Sequence, residues 1–202
     1  MEELIIKKAR DLFFSYGLKS VSMDDLARKS GTSKKTIYQS VADKNELVEK
    51  VVADLVRDHA EAMAQCREEA ANAIEEVLLK TRVPFITLAS INWSFFYELE
   101  KFFPAVWEKM LVHRQQVMFP AVVQNLDKGI EEGLYRGELD IPFIANIRLQ
   151  QVTTALNPKD FTGPSTDARR LINSLTEFYL HAITTTKGKQ LLNKYLKGYN
   201  EN

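Results

Sequence analysis

Between Ser20 and Val48 the chain places three helix caps, Ser22, Ser33 and Asp43, eleven and ten residues apart. Ser22 precedes Met23-Asp24-Asp25, so its hydroxyl can accept from the Asp25 amide while Asp25 reaches back to the Ser22 amide. Val21 and Leu26 occupy the two positions of a hydrophobic staple. Ser33 precedes Lys34-Lys35-Thr36, and Asp43 precedes Lys44-Asn45-Glu46. Two such short helices bury little apolar surface by themselves. They are stable only when packed on each other and on a third element, and this restricts the segment to a helix-turn-helix arrangement.

The residues between the caps fit that geometry. Leu26 and Ala27 fall on the inner face of the first short helix, and Ala27 is small where two helices cross. Gly31, in Ser30-Gly31-Thr32-Ser33, suits a left-handed position after a helix end. Ile37 and Val41, four apart, form the inner stripe of the second helix. Lys34, Lys35, Thr36, Tyr38 and Gln39 remain outside. They carry ammonium, hydroxyl and amide groups, which contact phosphates and base edges when a helix enters a DNA groove. The bland reading is a solvated polar face. The DNA-binding set reads as Ser22, Thr32, Ser33, Lys34, Lys35, Thr36, Tyr38, Gln39 and Lys44.

Upstream, Leu4-Ile5, Ala9, Leu12-Phe13 and Tyr16 recur at helical spacing, and Gly17 ends the run. This adds a third helix to the head. The run A-x-x-L-F-x-x-Y-G at Ala9–Gly17 is followed by V-S-M-D-D-L-A at Val21–Ala27. Then come G-T-S-K-K-T-I-Y at Gly31–Tyr38 and D-K-N-E-L at Asp43–Leu47. On these residues the chain resembles the tetracycline-repressor (TetR) family of bacterial transcription regulators, over roughly its first quarter. It departs from the family pattern at Lys35, where members often carry a small residue. It departs again at Ser40-Val41, where they often carry histidine or tyrosine and then phenylalanine. Lys35 makes the base readout individual to this protein.

Net charge is zero, with 27 basic and 27 acidic residues. The first fifty residues hold ten Lys/Arg and eight Asp/Glu, so the head is slightly positive and the remainder slightly negative. Phosphate contacts of a small reading head are local, so the average does not exclude DNA. There is no signal peptide and no apolar run of membrane-spanning length, which predicts a cytoplasmic protein without a membrane. The single cysteine, Cys66, reads as an inert, partly buried thiol.

From Lys44 the periodicity is helical throughout. A ladder from Leu47 to Met63 predicts a helix of about 30 Å, at about 1.5 Å per residue. Ala73–Leu79 and Val83–Phe96 predict a helix bent or restarted near Pro84. Pro104 opens another that runs to about Gly133 with a kink at Pro120. Asp140-Ile141-Pro142 starts a helix through Ala155, and Asn157–Thr166 is a loop rich in breakers. A helix from Ser165 or Thr166 to Thr186 and a short one over Gly188–Lys197 close the chain. The fold is therefore expected to be all-α. Residues 1–46 form a three-helix DNA-binding head, and residues 47–202 a helical-bundle body for ligand binding and dimerisation.

The body is rich in aromatics between Trp93 and Phe119. These residues either fill a core or line a cavity for an apolar ligand. The resemblance implies such a cavity and a ligand that releases DNA. The candidate lining is Trp93, Phe96, Phe103 and Trp107, then Met110, His113, Met118 and Phe119, with His113 as polar anchor or simply a surface histidine. Of the last two long helices, the first mixes apolar and polar residues from Ile141 to Ala155, and the second carries an apolar stripe, Leu171 to Ile183, wider than one core needs. By analogy with TetR-like regulators, Ile144, Ile147, Gln151, Leu171, Leu175, Phe178 and Ile183 are candidates for a homodimer interface.

Enzyme signatures are missing. His59, His113 and His181 lie on separate predicted helices, and no E-x-x-H, C-x-x-C, H-E-x-x-H, G-x-S-x-G or P-loop occurs. No cofactor is expected beyond a small-molecule effector of unknown identity, apolar or amphipathic. The expected function is a regulator, in particular a ligand-released repressor, that reads a pseudo-palindromic operator in double-stranded DNA as a homodimer. The alternative is a helical ligand- or partner-binding module with an idle helix-turn-helix.

Overall fold

The computed structural model describes residues 1–157 and 167–200. Its elements are α1 (Glu2–Tyr16), α2 (Met23–Ser30), α3 (Lys34–Ser40), α4 (Lys44–Glu69), α5 (Ala73–Arg82) and α6 (Pro84–Ala89). After them come α7 (Trp93–Phe102), α8 (Pro104–His113), a π-helical turn (Arg114–Met118), α9 (Phe119–Glu131), α10 (Ile141–Leu156), α11 (Ala168–Ile183) and α12 (Thr186–Asn200). No strand occurs among the described residues; one isolated antiparallel bridge joins Tyr135 and Thr184. The fold is all-α, as the periodicity predicts.

Two breaks were not legible. Val83–Phe96 does not form one helix after Pro84. It stops at Ala89, and the Asn92 carboxamide accepts from the Ser94 amide at 3.0 Å to start α7 afresh. The expected kink at Pro120 is realised upstream of it, as the π turn over Arg114–Met118. Proline has no N–H for the carbonyl four residues back and its ring crowds that carbonyl, so the preceding turn widens. The expected loop is described only at Asn157. Its remainder, and the expected helix start at Ser165 or Thr166, lie outside the described residues. The last helix of the pair is described from Ala168, with the Asp167 carboxylate accepting from the Arg169 amide at 3.2 Å.

The chain divides into two compact units. The first comprises Met1–His59 with Ser90–Arg114, so α7 and α8 pack with the head rather than with the rest of the body. Aromatic α7 meets the end of α1: the Phe14 and Phe95 rings lie 5.0 Å apart, edge to face. The Asn92 amide donates to the Phe14 carbonyl at 2.7 Å, and the Lys19 amide donates to Glu98 Oε2 at 2.8 Å. Gly17 makes this approach feasible. Its φ is +82°, and a Cβ there would stand 2.5 Å from Ser94 Oγ. Domain boundaries drawn at residue 46 follow sequence motifs, whereas packing cuts α4 at His59.

The second unit comprises Ala60–Ala89 and Gln115–Asn202. Its core gathers Ile74, Val77, Leu126, Leu134, Tyr135, Ala145, Leu180 and Leu192 from α5, α9, α10, α11, α12 and the turn after α9. A smaller cluster joins Phe85 of α6 to Ala155, Leu171 and Ile172. Cys66 is buried, and burial pushes its thiol above the ordinary range, in keeping with an inert side chain. No described helix is long and apolar enough to cross a membrane.

Candidate nucleic-acid interface

The head is held together by the devices its sequence announces. At the start of α2, the Asp25 amide donates to Ser22 Oγ at 3.2 Å and the Ser22 amide donates to Asp25 Oδ2 at 2.9 Å, a complete capping box. The Ser22 hydroxyl and amide, with Arg28, hold the Asp25 carboxyl below its usual range. Gly31 is left-handed at φ 63°, ψ 31°. The Thr32 amide donates to the Ala27 carbonyl at 3.0 Å and the Gly31 amide to Arg28 at 3.4 Å, which closes α2 as a Schellman turn. Ser33 Oγ accepts from the Thr36 amide at 3.1 Å, and Asp43 Oδ1 from the Glu46 amide at 2.9 Å. Leu26, Ala27, Ile37 and Val41 are buried, as are Ile5, Ala9, Leu12 and Phe13 of α1.

Closing both ends of the α2–α3 turn leaves α3 with one wet face. Lys34, Lys35, Tyr38 and Gln39 are exposed, Tyr38 by 48%. Lys34 reaches across to Asp24 at 2.7 Å, and this contact raises its pKa. Thr36 is half-buried, its hydroxyl 2.9 Å from that of Ser33. Residues 5–51 match the sequence model of bacterial regulatory proteins of the tetR family. The head is that of the TetR family. The protein is a sequence-specific DNA-binding transcription regulator, with α2 and α3 as its helix-turn-helix.

Solved structures share the fold over nearly the whole chain. A TetR-family regulator from Agrobacterium tumefaciens superposes with TM-score 0.73 at 18% identity, covering 91% of this chain and 97% of that one. A regulator from Saccharomonospora viridis in complex with choline gives 0.77 at 16%, with the same coverages of 91% and 97%. FadR from Bacillus subtilis in complex with stearoyl-CoA gives 0.65 at 17%, covering 89% and 98%. A search of curated proteins finds no match.

Three residues of the expected DNA-binding set are engaged inside this TetR head, among them Ser33, whose hydroxyl caps α3. Ser22 is spent on the capping box. Lys44 is half-buried, and its ammonium donates to the carbonyls of Leu18 at 2.5 Å and Val21 at 2.6 Å, above the Phe13 ring. This lysine ties the α1–α2 connection to the start of α4.

The aromatic set expected to line a cavity is divided. Trp93, Phe96, Phe103, Trp107, Met110 and His113 belong to the first unit, and Met118 and Phe119 to the second. Phe96 is buried against Phe95 and Trp93, with ring centroids 5.4 and 5.8 Å away. Trp93, Phe103, Trp107 and Met110 are half-buried. Met118 sits in the π turn, and Phe119 packs on the core of the second unit. His113 is not a surface residue. It is buried, and its Nε2 lies 2.9 Å from Nδ1 of buried His59. Separated by 54 positions, the pair gives no signal in sequence spacing.

One imidazole of this pair donates and the other accepts, and burial favours the neutral form of both. Burial, with His113 adding to it, pulls His59 down to about 4, and burial lowers His113. Unfolding releases both to the ordinary value near 6.5, so the unfolded chain takes up protons that the folded one refuses. The contribution of His59 is complete above about pH 6.5 and is lost as pH falls towards about 4, at up to about 1.4 kcal/mol per pH unit, and His113 adds to it in the same direction. Urea denaturation between pH 8 and 4.5 should show this loss, and His59→Asn/His113→Gln should flatten it. An unchanged pH slope in that double variant would assign the acid sensitivity elsewhere.

Of the expected dimer set, Leu171 and Ile183 are buried in the subunit's own clusters, and Ile144 packs partly against one of them. Their apolar character is spent inside the protomer. Ile147 and Phe178 are exposed, by 41% and 69%, and Phe143 by 59%; Gln151 and Leu175 are half-buried.

Proposed function

We propose that this TetR-family regulator is a cytoplasmic, ligand-released repressor that binds a pseudo-palindromic operator as a homodimer. Lys34–Gln39 of each subunit would enter successive major grooves. The observation that carries this reading is the wet face of α3. A short helix capped at Ser33 leaves two cations, a phenol and an amide exposed on a rigid scaffold. Lys35 is the base reader, because no acid pairs with it among the described residues, whereas Lys34 is held by Asp24. Phe143, Ile147 and Phe178, exposed on the packed pair α10 and α11, supply the apolar centre of the dimer contact. Proteins of the same fold carrying choline and stearoyl-CoA support a ligand-bound state. The 26-residue helix α4, which starts in the head, is the element through which ligand binding would act on DNA. A ligand that favours the DNA-incompetent state a hundredfold shifts the equilibrium by about 2.7 kcal/mol.

Selection of bound duplexes from a random pool, followed by footprinting, tests the reading. Two matching half-sites about one helical turn apart, or slightly more, are expected. Lys35→Ala should relax preference at one base pair of each half-site, by about 1–3 kcal/mol. Tyr38→Phe should weaken specific and random duplexes alike, as loss of a phosphate contact does. Equal losses on all duplexes in both variants would remove this division of roles. No salt-dependent binding to any duplex would favour the idle helix-turn-helix instead.

A further inference from the structure

The second unit contains a cleft of about 580 Å³, within the range of small-molecule sites. Leu78 and Ile86 give it apolar wall, and Thr81 and Thr176 also line it; the Thr81 hydroxyl donates to the Val77 carbonyl at 2.9 Å and lies 3.2 Å from that of Thr176. Its charged lining is Arg82 and Arg169 against Glu177. Directly behind the hydroxyls lies Arg148 of α10, a buried guanidinium that donates to Thr176 Oγ1 at 2.8 Å and Thr81 Oγ1 at 3.3 Å. Its remaining contacts are Gln151 Oε1 at 3.4 Å and the Tyr179 ring, 5.0 Å away. The buried Tyr179 hydroxyl has no hydrogen-bond partner among the described residues.

Among the described residues no carboxylate pairs with Arg148. A cation buried with only neutral partners is costly, and folding alone does not explain it, since an apolar residue of similar length would pack there more cheaply. Burial lowers its pKa only to about 10, so it stays charged at neutral pH. Guanidinium is the side chain best matched to a carboxylate, which it can hold by two parallel hydrogen bonds.

We propose that this cleft is an effector site for an amphipathic carboxylate, with its headgroup at Thr81 and Thr176, held by the charge of Arg148 behind them and of Arg169 at the wall, and its apolar body along Leu78 and Ile86. Only the regulatory consequence rests on the ligand-release reading; binding itself does not. The missing counter-charge would be supplied by the ligand, so the occupied site is neutralised and the empty one is not.

Calorimetric titration of the full chain with octanoate and with 1-octanol tests the charge requirement. Octanoate should bind at least about tenfold more tightly than octanol at pH 7, a difference of about 1.4 kcal/mol. Arg148→Met should erase that ratio while circular dichroism shows a folded protein. Should that variant fail to fold, Thr176→Val and Arg169→Ala carry the test, each lowering octanoate affinity severalfold and leaving octanol unchanged. Equal binding of acid and alcohol by the unaltered protein, no binding of octanoate, or a ratio that survives these substitutions would overturn the site. Operator affinity measured in parallel separates the two ideas. Octanoate bound without DNA release keeps the cleft and removes ligand release. Failure to bind octanoate, with operator binding intact, removes the cleft alone.

Discussion

Phe178→Glu is expected to convert the protein to monomer and to lower operator affinity by about a hundredfold or more. Phe178 is 69% exposed on α11, and Ile147 on the neighbouring α10 is 41% exposed. Large apolar side chains left wet on a packed helix pair are where the proposed dimer contact would close. Fully burying one such side chain contributes about 1.5–3 kcal/mol, and two-fold symmetry counts each twice. A glutamate there would have to be stripped of water without a partner, which turns gain into penalty. The subunit itself should stay folded, because Phe178 contributes little to its core while Leu171 and Ile183 are spent there. Sedimentation then shows monomer, and affinity falls because two half-sites are no longer read by one linked pair of heads. A variant that remains dimeric with unchanged operator affinity would place the interface elsewhere.

Lys44→Met should cost about 3 kcal/mol or more in stability, for the methylene stem is kept and the ammonium is lost. Two carbonyls, of Leu18 and Val21, each accept a charge-assisted bond from it. Such bonds contribute about 1.5–3 kcal/mol apiece, and their loss leaves half-buried acceptors unsatisfied. For a chain of this size the melting temperature should fall by about 6–12 °C. The salt dependence of operator binding distinguishes this role from phosphate contact. With Lys44 internal, the folded variant keeps the wild-type slope of log affinity against log salt. A slope reduced by about one for each lysine removed would mean that Lys44 touches the DNA backbone after all.

The two lysines show how far local reading fixes a side chain's exposure. Lys35 and Lys44 both follow a capping residue in a recognisable motif, and sequence assigned both to DNA. For Lys35 the local pattern suffices, because position on a seven-residue helix with Ile37 inward leaves it facing water. The direction of Lys44 depends on where the chain passes at Leu18 and Val21, more than twenty residues earlier. The aromatic helix α7 behaves likewise. Its composition marked it as bulky, but its packing on α1 requires Gly17, Asn92 and Phe95 to meet across some eighty positions. Arg148 left a trace, since it shares the inward stripe of α10 with Ala145 and Leu149. A charge on that stripe announces a buried network without naming its members.

Sequence by itself determined what depends on neighbours within one or two turns: the caps at Ser22, Ser33 and Asp43, the left-handed Gly31, the inner faces of α1 to α3, and the all-helical character of the chain. These are decided by hydrogen bonds and side-chain spacing at separations of three to five residues, which a sequence states directly. Only tertiary structure decided that α7 and α8 pack with the head, that His59 meets His113, that Leu171 and Ile183 face inward while Phe178 faces out, and that Arg148 stands behind two threonines without a counter-charge. The physical reason is that an apolar or charged side chain is equally compatible with several burial partners. The choice among them is made by the packing of elements distant in the chain, which hydrophobic patterning constrains only in sum.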